Sequence, residues 1–316
     1  MGMKKTLLIG NFGSGNIGDE LILCAALDEL DRRDERSNDR EVVVMTADEE
    51  WTRSFVEDEN LECVPFFPAG GRSYLGWLFS ASYRRKLLGL RGDVDQIIFC
   101  GGGLFAIKAK ACWIWSKVFW WCKKIFPEAE IRLENQGVDK GLDAVSNRLT
   151  QRVFDTADFI SVRDRASGEA LRELGIKNYE LIGDRVEVWL KSDSEKAVVS
   201  KEKKILLLNA VSRFDQKKYS RVQKLYKNYE FKFVLMDPLD ERWIPLGFKG
   251  EVIILRNKRQ VFELWDSADV AIGERLHFVI LSQAFLSSEN TFLLKDGYSE
   301  KVKSFGEKYG VGVFGR

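Results

Sequence analysis

The chain contains one histidine, His277, within Gly273-Glu274-Arg275-Leu276-His277-Phe278. It is the one side chain here that exchanges protons near pH 7 without a large pKa shift, which suits a general acid or base. Arg275 lies two residues before it. Arg163, in Ser161-Val162-Arg163-Asp164, and Arg213, in Ala210-Val211-Ser212-Arg213-Phe214, each close another short apolar run. Guanidinium forks match phosphate and carboxylate bidentately, so three of them at strand ends point to a small, multiply anionic substrate. Plainer readings stand beside these: each arginine as a surface ion-pairing residue, and His277, with Leu276, Phe278, Val279 and Ile280 around it, as a satisfied core histidine.

Two glycine-rich segments offer backbone rather than side chains. Gly10-Asn-Phe-Gly13-Ser-Gly15-Asn16-Ile-Gly18-Asp19 follows the first apolar run and leads into a helical pattern. Glycine lets the chain take φ > 0 and approach a ligand, and a helix amino terminus presents free N–H groups. Gly13, Gly15 and Gly18 formally satisfy the dinucleotide fingerprint, with Asp48 after the second strand as the ribose acid, a weak signal. Asp19 and Glu20 at the helix start favour its dipole but repel an anion. A tight turn with a helix cap is the alternative. Gly101-Gly102-Gly103 follows the run 96–99 and reads either as a loop of exposed amides facing a substrate or as a close strand–helix crossing.

These residues need elements to hold them. Apolar runs of mostly four to seven residues recur at 5–10, 41–46, 96–101, 130–137, 159–164 and 179–183, then at 205–211, 231–237, 251–256, 269–273 and 290–294. Runs of that length suit strands covered on both faces. Helical patterns lie between them, at 19–31, 167–174 and 261–267. The alternation predicts an α/β protein with parallel sheets. With 316 residues, two domains are expected. The charged stretch 191–204 reads as a linker between an amino-terminal domain, 1–190, and a carboxyl-terminal domain, 205–316. Two such open sheets facing across a cleft would aim their strand ends, and so the arginines, at one ligand.

Composition excludes several classes. With 49 Lys and Arg against 48 Asp and Glu, the net charge is +1, which argues against a nucleic-acid partner. Five scattered cysteines with no CxxC pair read as reduced, buried thiols, and one histidine leaves no zinc cluster. The apolar start, Leu7 to Ile9, is too short for a signal peptide, and the run 111–122 is too short and too charged to span a bilayer. A cytoplasmic location is expected. The stretch 113–121 carries Trp113, Trp120 and Trp121 between Lys108, Lys110, Lys117, Lys123 and Lys124. It reads either as a helix face buried on a sheet or as a peripheral contact with the inner face of a membrane.

The ordered set of motifs resembles the polysaccharide pyruvyl transferases. Gly15-Asn16-Ile-Gly18-Asp19-Glu20 is similar to the family's Gly-Asn-x-Gly-Asp-Glu opening, and Gly101-Gly102-Gly103-Leu104-Phe105 to its triple-glycine segment. Asn135-Gln136-Gly137-Val138 resembles its Gln-Gly turn, and 157–164 its Ala-Asp-x-Ile-x-Val-Arg-Asp segment. Arg275-Leu276-His277 matches its Arg-Leu-His signature. Tyr298-Ser299-Glu300-Lys301-Val302 resembles Tyr-Asp-Pro-Lys-Val, with Ser299 and Glu300 as departures. Arg185, after Asp184, replaces a usual proline, and 285–290 replaces a small-residue and proline turn.

The resemblance implies a GT-B-like pair of Rossmann-like domains. It also implies transfer of pyruvate from phosphoenolpyruvate onto two hydroxyls of a sugar or lipid-linked saccharide, as a ketal, in cell-surface polysaccharide biosynthesis. No metal or organic cofactor is implied. His277 would be the acid or base. Arg275, Arg213, Arg163, Lys301 and Leu276 would form the donor site. Asn16, Asp19, Gly101, Gly102 and Gly103 would face the acceptor. Competing readings are a GT-B glycosyltransferase using a nucleotide sugar, a non-catalytic sugar- or anion-binding member of the fold, and an NAD-dependent enzyme.

Overall fold

The computed structural model describes residues 4–34, 40–69, 71–105, 109–192, 203–212, 216–294 and 300–314. Its contacts divide the chain into two units. The first comprises Met1–Ser14 and Asp19–Arg185, the second Gly15–Gly18 and Val186–Arg316.

In the first unit, the apolar runs form β1 (Lys4–Ile9), β2 (Arg40–Thr46), β4 (Val94–Phe105), β5 (Glu130–Val138), β6 (Phe159–Val162) and β7 (Glu180–Leu181). The short β3 (Glu62–Pro65) joins them in one parallel sheet of order β3-β2-β1-β4-β5-β6-β7. The middle strands are apolar on both faces because helices cover both. Leu7, Leu8 and Ile9, and likewise Ile97, Ile98 and Phe99, are fully buried. The helices are α1 (Ile17–Asp34), α2 (Glu49–Val56), α3 (Gly71–Phe79), α4 (Ala81–Gly89), α5 (Ala109–Ile125), α6 (Ala144–Thr156) and α7 (Arg165–Glu173). Carboxylates fix the starts of three of them: Asp48, Asp143 and Asp164 each accept from backbone N–H groups of the following turn.

The second unit repeats the plan with β8 (Ile205–Leu208), β9 (Glu230–Leu235), β10 (Glu251–Ile254), β11 (Val270–Gly273), β12 (Thr291–Leu293) and β13 (Gly312–Val313), all parallel, in the order β10-β9-β8-β11-β12-β13. Its helices are α8 (Arg185–Ser192), α9 (Gln216–Leu225), α10 (Lys258–Ser267), α11 (Leu276–Leu286) and α12 (Glu300–Tyr309), with a 3-10 turn at Pro238–Trp243.

The contacts change units between Arg185 and Val186 rather than after 190. Side chains of α8 are the reason. Glu187 accepts from Lys191 and Lys308 at 2.7 Å each and from the Tyr309 hydroxyl, and the Trp189 ring lies 5.4 Å from that of Phe262. Of the expected linker 191–204, residues 193–202 lie outside the described residues.

Helix α5 divides the tryptophan stretch. Trp115 and Val118 are buried, and Trp121 stacks on Phe67 and donates its indole N–H to Pro68 O. Trp113 and Trp120 are exposed, with Lys117 Nζ 3.4 Å above the Trp113 ring. Lys108 lies outside the described residues. None of the five cysteines is in a disulfide, and all five are buried. Among the described residues, no helix is long and apolar enough to cross a membrane.

Candidate functional site

Each sheet has one place where its strand order reverses: between β1 and β4 in the first unit, and between β8 and β11 in the second. At such switch points the loops leaving adjacent strand ends diverge and open a ligand site. Several of the residues expected from the sequence lie at these strand ends: Gly101–Gly103 on β4 and Arg275 after β11.

In the second unit, β11 ends at Gly273, Glu274 is buried, and Arg275 caps α11. The Arg275 N–H donates to Asn209 Oδ1 at 3.1 Å, and Asn209 Nδ2 donates to Asp240 Oδ2 at 3.1 Å. The Arg275 guanidinium grips Asp240 with Nε and with Nη2, the latter 2.5 Å from Oδ1, and lies 3.6 Å from Asp237. Asp240 is fully buried, and burial pushes its pKa up against the pull of Arg275. The guanidinium expected to meet an anionic ligand is thus oriented, and partly neutralised, by two carboxylates of the chain. Glu274 accepts from Val211 N at 2.9 Å and from Ser212 Oγ, so it fixes the turn leading to Arg213, which itself lies outside the described residues.

His277 is half-buried in the first turn of α11, and Leu276 beside it is buried. The imidazole lies against Gly18, where an added β-carbon would fall 2.1 Å from Nδ1. Asn16 caps this turn through Gly18 N at 3.0 Å and reaches Asp237 Oδ2 at 3.4 Å, while Ile17 N donates to Met236 O. The family-like opening and the Arg-Leu-His segment therefore meet in one place. Lys301 stands in the first turn of α12, half-buried; 295–299, with Tyr298 and Ser299, lie outside the described residues.

In the first unit, Asp19, Gly102, Gly137 and Arg163 converge. Asn11 Nδ2 donates to Asp19 Oδ2 at 2.9 Å, and a β-carbon on Gly102 would sit 3.4 Å from Asp19 Oδ1. Gly102 has φ +80°, which glycine alone takes readily. One on Gly137 would lie 2.7 Å from both Arg163 Nη2 and Gly102 O. Arg163 is buried and pairs with Asp164 at 2.9 Å. The triple glycine is not a loop: β4 continues through it, pairing Gly102 with Gln136 and Phe105 with Val138. Gln136 holds this join, donating Nε2 to Phe99 O at 2.8 Å. Arg163, expected with the donor residues, thus lies beside the glycines expected to face the acceptor.

The fingerprint glycines answer to protein contacts. A β-carbon on Gly13 would lie 2.2 Å from Thr46 Oγ1, on Gly15 3.1 Å from Pro238, and on Gly18 against His277. Asp48, the expected ribose acid, caps α2 through Trp51 N at 3.0 Å.

The sequence did not single out Asp240 or Asn209, and it named Glu20, Glu274 and Gly137 only as members of motifs, with no place in the site. Glu20 is fully buried, accepts from Gly13 N at 2.7 Å and Trp51 Nε1 at 3.2 Å, and has its pKa pushed up to about 8, chiefly by burial. Asp240 and Asn209 carried a local signal: an Asp-Pro-Leu-Asp turn, and a polar residue directly after an Ile-Leu-Leu-Leu strand. Arg185, where the family has proline, is buried on Glu134, on Asn135 Oδ1 at 3.1 Å and on Glu29 at 3.5 Å. Burial opposes ionisation of Glu134, but Arg185 and Arg132 outweigh it and hold its pKa down.

A family model described as polysaccharide pyruvyl transferase matches residues 16–285. No curated protein sequence matches significantly. Solved structures match almost the whole chain. A Staphylococcus aureus MnaA–UDP structure is 12% identical, with TM-score 0.60, covering 98% of this chain and 83% of that one. A UDP-GlcNAc 2-epimerase from Methanocaldococcus jannaschii, in complex with UDP-GlcNAc and UDP, is 12% identical, with TM-score 0.59, covering 98% and 88%. One from Neisseria meningitidis bound to UDP-GlcNAc is 13% identical, with TM-score 0.56, covering 98% and 87%. At such identities the likeness is of fold: two parallel α/β units of the GT-B type.

Proposed function

The chain belongs to the polysaccharide pyruvyl transferase family, and from that premise we propose that it transfers pyruvate from phosphoenolpyruvate to two hydroxyls of one sugar. The observation that carries this reading is the family match over 16–285, a span that includes both the Asn16–Gly18 part of the glycine-rich turn and the Arg275–His277 segment packed on it. The acceptor is a sugar or lipid-linked saccharide of a cell-surface polysaccharide.

In this mechanism His277 protonates carbon 3 of the enol, where a group titrating near the working pH is most effective. Carbon 2 gains oxocarbenium character, and a sugar hydroxyl adds to it and loses its proton. The C–O bond to phosphate then breaks, phosphate departs, and the second hydroxyl closes the ketal. One phosphoenolpyruvate and one diol thus give one ketal and one inorganic phosphate. Arg275 stabilises charge on the leaving phosphate, with its guanidinium oriented by Asp240. Arg213 and Lys301 supply further positive charge for the donor, whose net pull Asp237 and Asp240 would otherwise weaken. Asp19 and the Gly101–Gly103 segment face the acceptor, with Arg163 beside them.

A thermal-shift titration with phosphoenolpyruvate, UDP-GlcNAc and NAD tests the donor. At ten times its dissociation constant a ligand adds about 1.4 kcal/mol, a shift of a few degrees. A shift with phosphoenolpyruvate, followed by phosphate release on adding a saccharide diol, is the expected result. A shift with UDP-GlcNAc alone would reassign the protein to nucleotide-sugar chemistry. A shift with NAD alone would revive the dinucleotide reading.

A further inference from the structure

The first unit displays a rigidly held apolar face that the proposed chemistry does not use. On α3, Tyr74, Leu75, Leu78 and Phe79 fall on one side of the helix, and they are 55%, 55%, 48% and 81% exposed. Leu88 on α4 is also exposed. This is not a loose segment. The opposite side of α3 turns Trp77 onto Trp121 of α5, with ring centroids 5.4 Å apart. Gly76 lies so close under the Tyr83 ring that a β-carbon there would approach it to 2.6 Å. Arg84 Nη1 donates to Trp77 O at 2.6 Å and Leu78 O at 2.9 Å, tying α4 to the end of α3. The fold buries the one side and leaves the larger apolar side in water.

The charge carried by the helices that form and flank this face has one sign. Helices α3, α4 and α5 carry eight Lys or Arg and no Asp or Glu, in a chain whose net charge is +1. Lys86 pairs with Glu49 of α2 and Lys123 with Asp158, while Arg85 is exposed. On α5, Trp113, Lys117 and Trp120 form a second exposed stripe of aromatic and basic residues. Exposed apolar side chains bordered by cations are the composition of an element that lies in the interface of an anionic bilayer. A two-fold dimer through this face would set the same cations against one another.

We propose that the α3–α4 face seats the protein on an anionic phospholipid surface, with Leu75, Leu78 and Phe79 entering the acyl boundary and the basic side chains meeting the headgroups. The proposal does not depend on which donor the enzyme uses. It is tested with the full chain and sedimenting vesicles of phosphatidylcholine, with and without phosphatidylglycerol. Binding to the vesicles containing phosphatidylglycerol is expected, weakened by added salt and reduced roughly tenfold or more in Leu75→Glu with Phe79→Glu. Both residues are exposed, so an unchanged melting temperature shows that the variant is folded. Arg85→Glu alone should lower binding to the anionic vesicles by a smaller factor. No binding by the parent chain, equal binding to neutral vesicles, or an unaffected double variant would overturn the proposal. So would a dimer that the double variant dissolves in the absence of vesicle binding, which would give the face to a second copy.

Discussion

A β-carbon on Gly18 would come within 2.1 Å of His277 Nδ1, so the Gly15–Gly18 turn and the histidine, about 260 residues apart in the chain, occupy the same few ångströms within the second unit. Gly18 is glycine because the imidazole takes the space of its side chain. Its φ is not in the left-handed region, so the requirement is packing, not backbone strain.

Gly18→Ala is therefore expected to displace His277. Overpacking of this kind costs about 1–3 kcal/mol, against which the better helix propensity of alanine returns at most about 1 kcal/mol. The urea midpoint should fall, and turnover should fall more than tenfold because a misplaced proton donor loses geometry first. A fully active, equally stable variant would show that the contact is not maintained in solution.

His277→Ala should reduce phosphate release from phosphoenolpyruvate by about 10²–10⁴ with folding intact. A rate within tenfold of the parent would remove His277 from the proton-transfer role and leave it as the residue that packs Gly18.

Asp240→Ala takes the partner from Arg275 and from Asn209 Nδ2 at once. Loss of one member of a fully buried ion pair costs about 3–5 kcal/mol. The Arg275 side chain is 29% exposed, so about 2–3 kcal/mol is expected here, following the solvent screening of a partly exposed charge. A double-mutant cycle with Arg275→Met, read from urea midpoints, should give a coupling of about 1–3 kcal/mol. Additive losses would mean that the pair contributes nothing as a pair.

Glu20 makes stability fall with rising pH. Its folded-state pKa is raised from 4.5 to about 8, chiefly by burial, so the folded protein holds a proton there that the unfolded chain has lost. Stability from this group is full below pH 4.5 and declines as pH rises to about 8. Glu20→Gln keeps the acceptor for Gly13 N and Trp51 Nε1 without the charge. It should be more stable than the parent by about 1–4 kcal/mol at pH 9, with little difference at pH 4.5. Parallel stability curves for the two proteins would sink this assignment.

Much of the fold was legible because its strands are buried on both faces. Runs such as 205–211 and 269–273 contain the observed Ile205–Leu208 and Val270–Gly273, with ends shifted by a few residues. Burial on both faces forces a short, continuous apolar run, bounded here by turn residues. β3 escaped because it is four residues long and ends in proline. Helices α3 and α4 escaped; in α3 both the exposed side, with Tyr74, Leu75, Leu78 and Phe79, and the inward side, with Trp77, are apolar, so no alternation of apolar and polar faces marks it. The triple glycine read as a loop because strand propensity disfavours it, yet pairing with β5 carries the strand through.

For the site, the sequence by itself determined the residue types and their order: a lone histidine two residues after an arginine, a glycine-rich first turn, and the motifs of a family. These are local properties, set by the neighbours each residue has along the chain. What only the tertiary structure decided was which of them meet. Arg275 is committed to Asp240, Gly18 to His277, and Gly137 to Arg163. Such pairings depend on where β8 and β11, or β4 and β5, fall side by side in a sheet, and strand order is settled by packing of the whole unit. The Asp-Pro-Leu-Asp turn marks Asp240 as a turn residue, but nothing in the sequence around it or around Arg275 marks the two as partners.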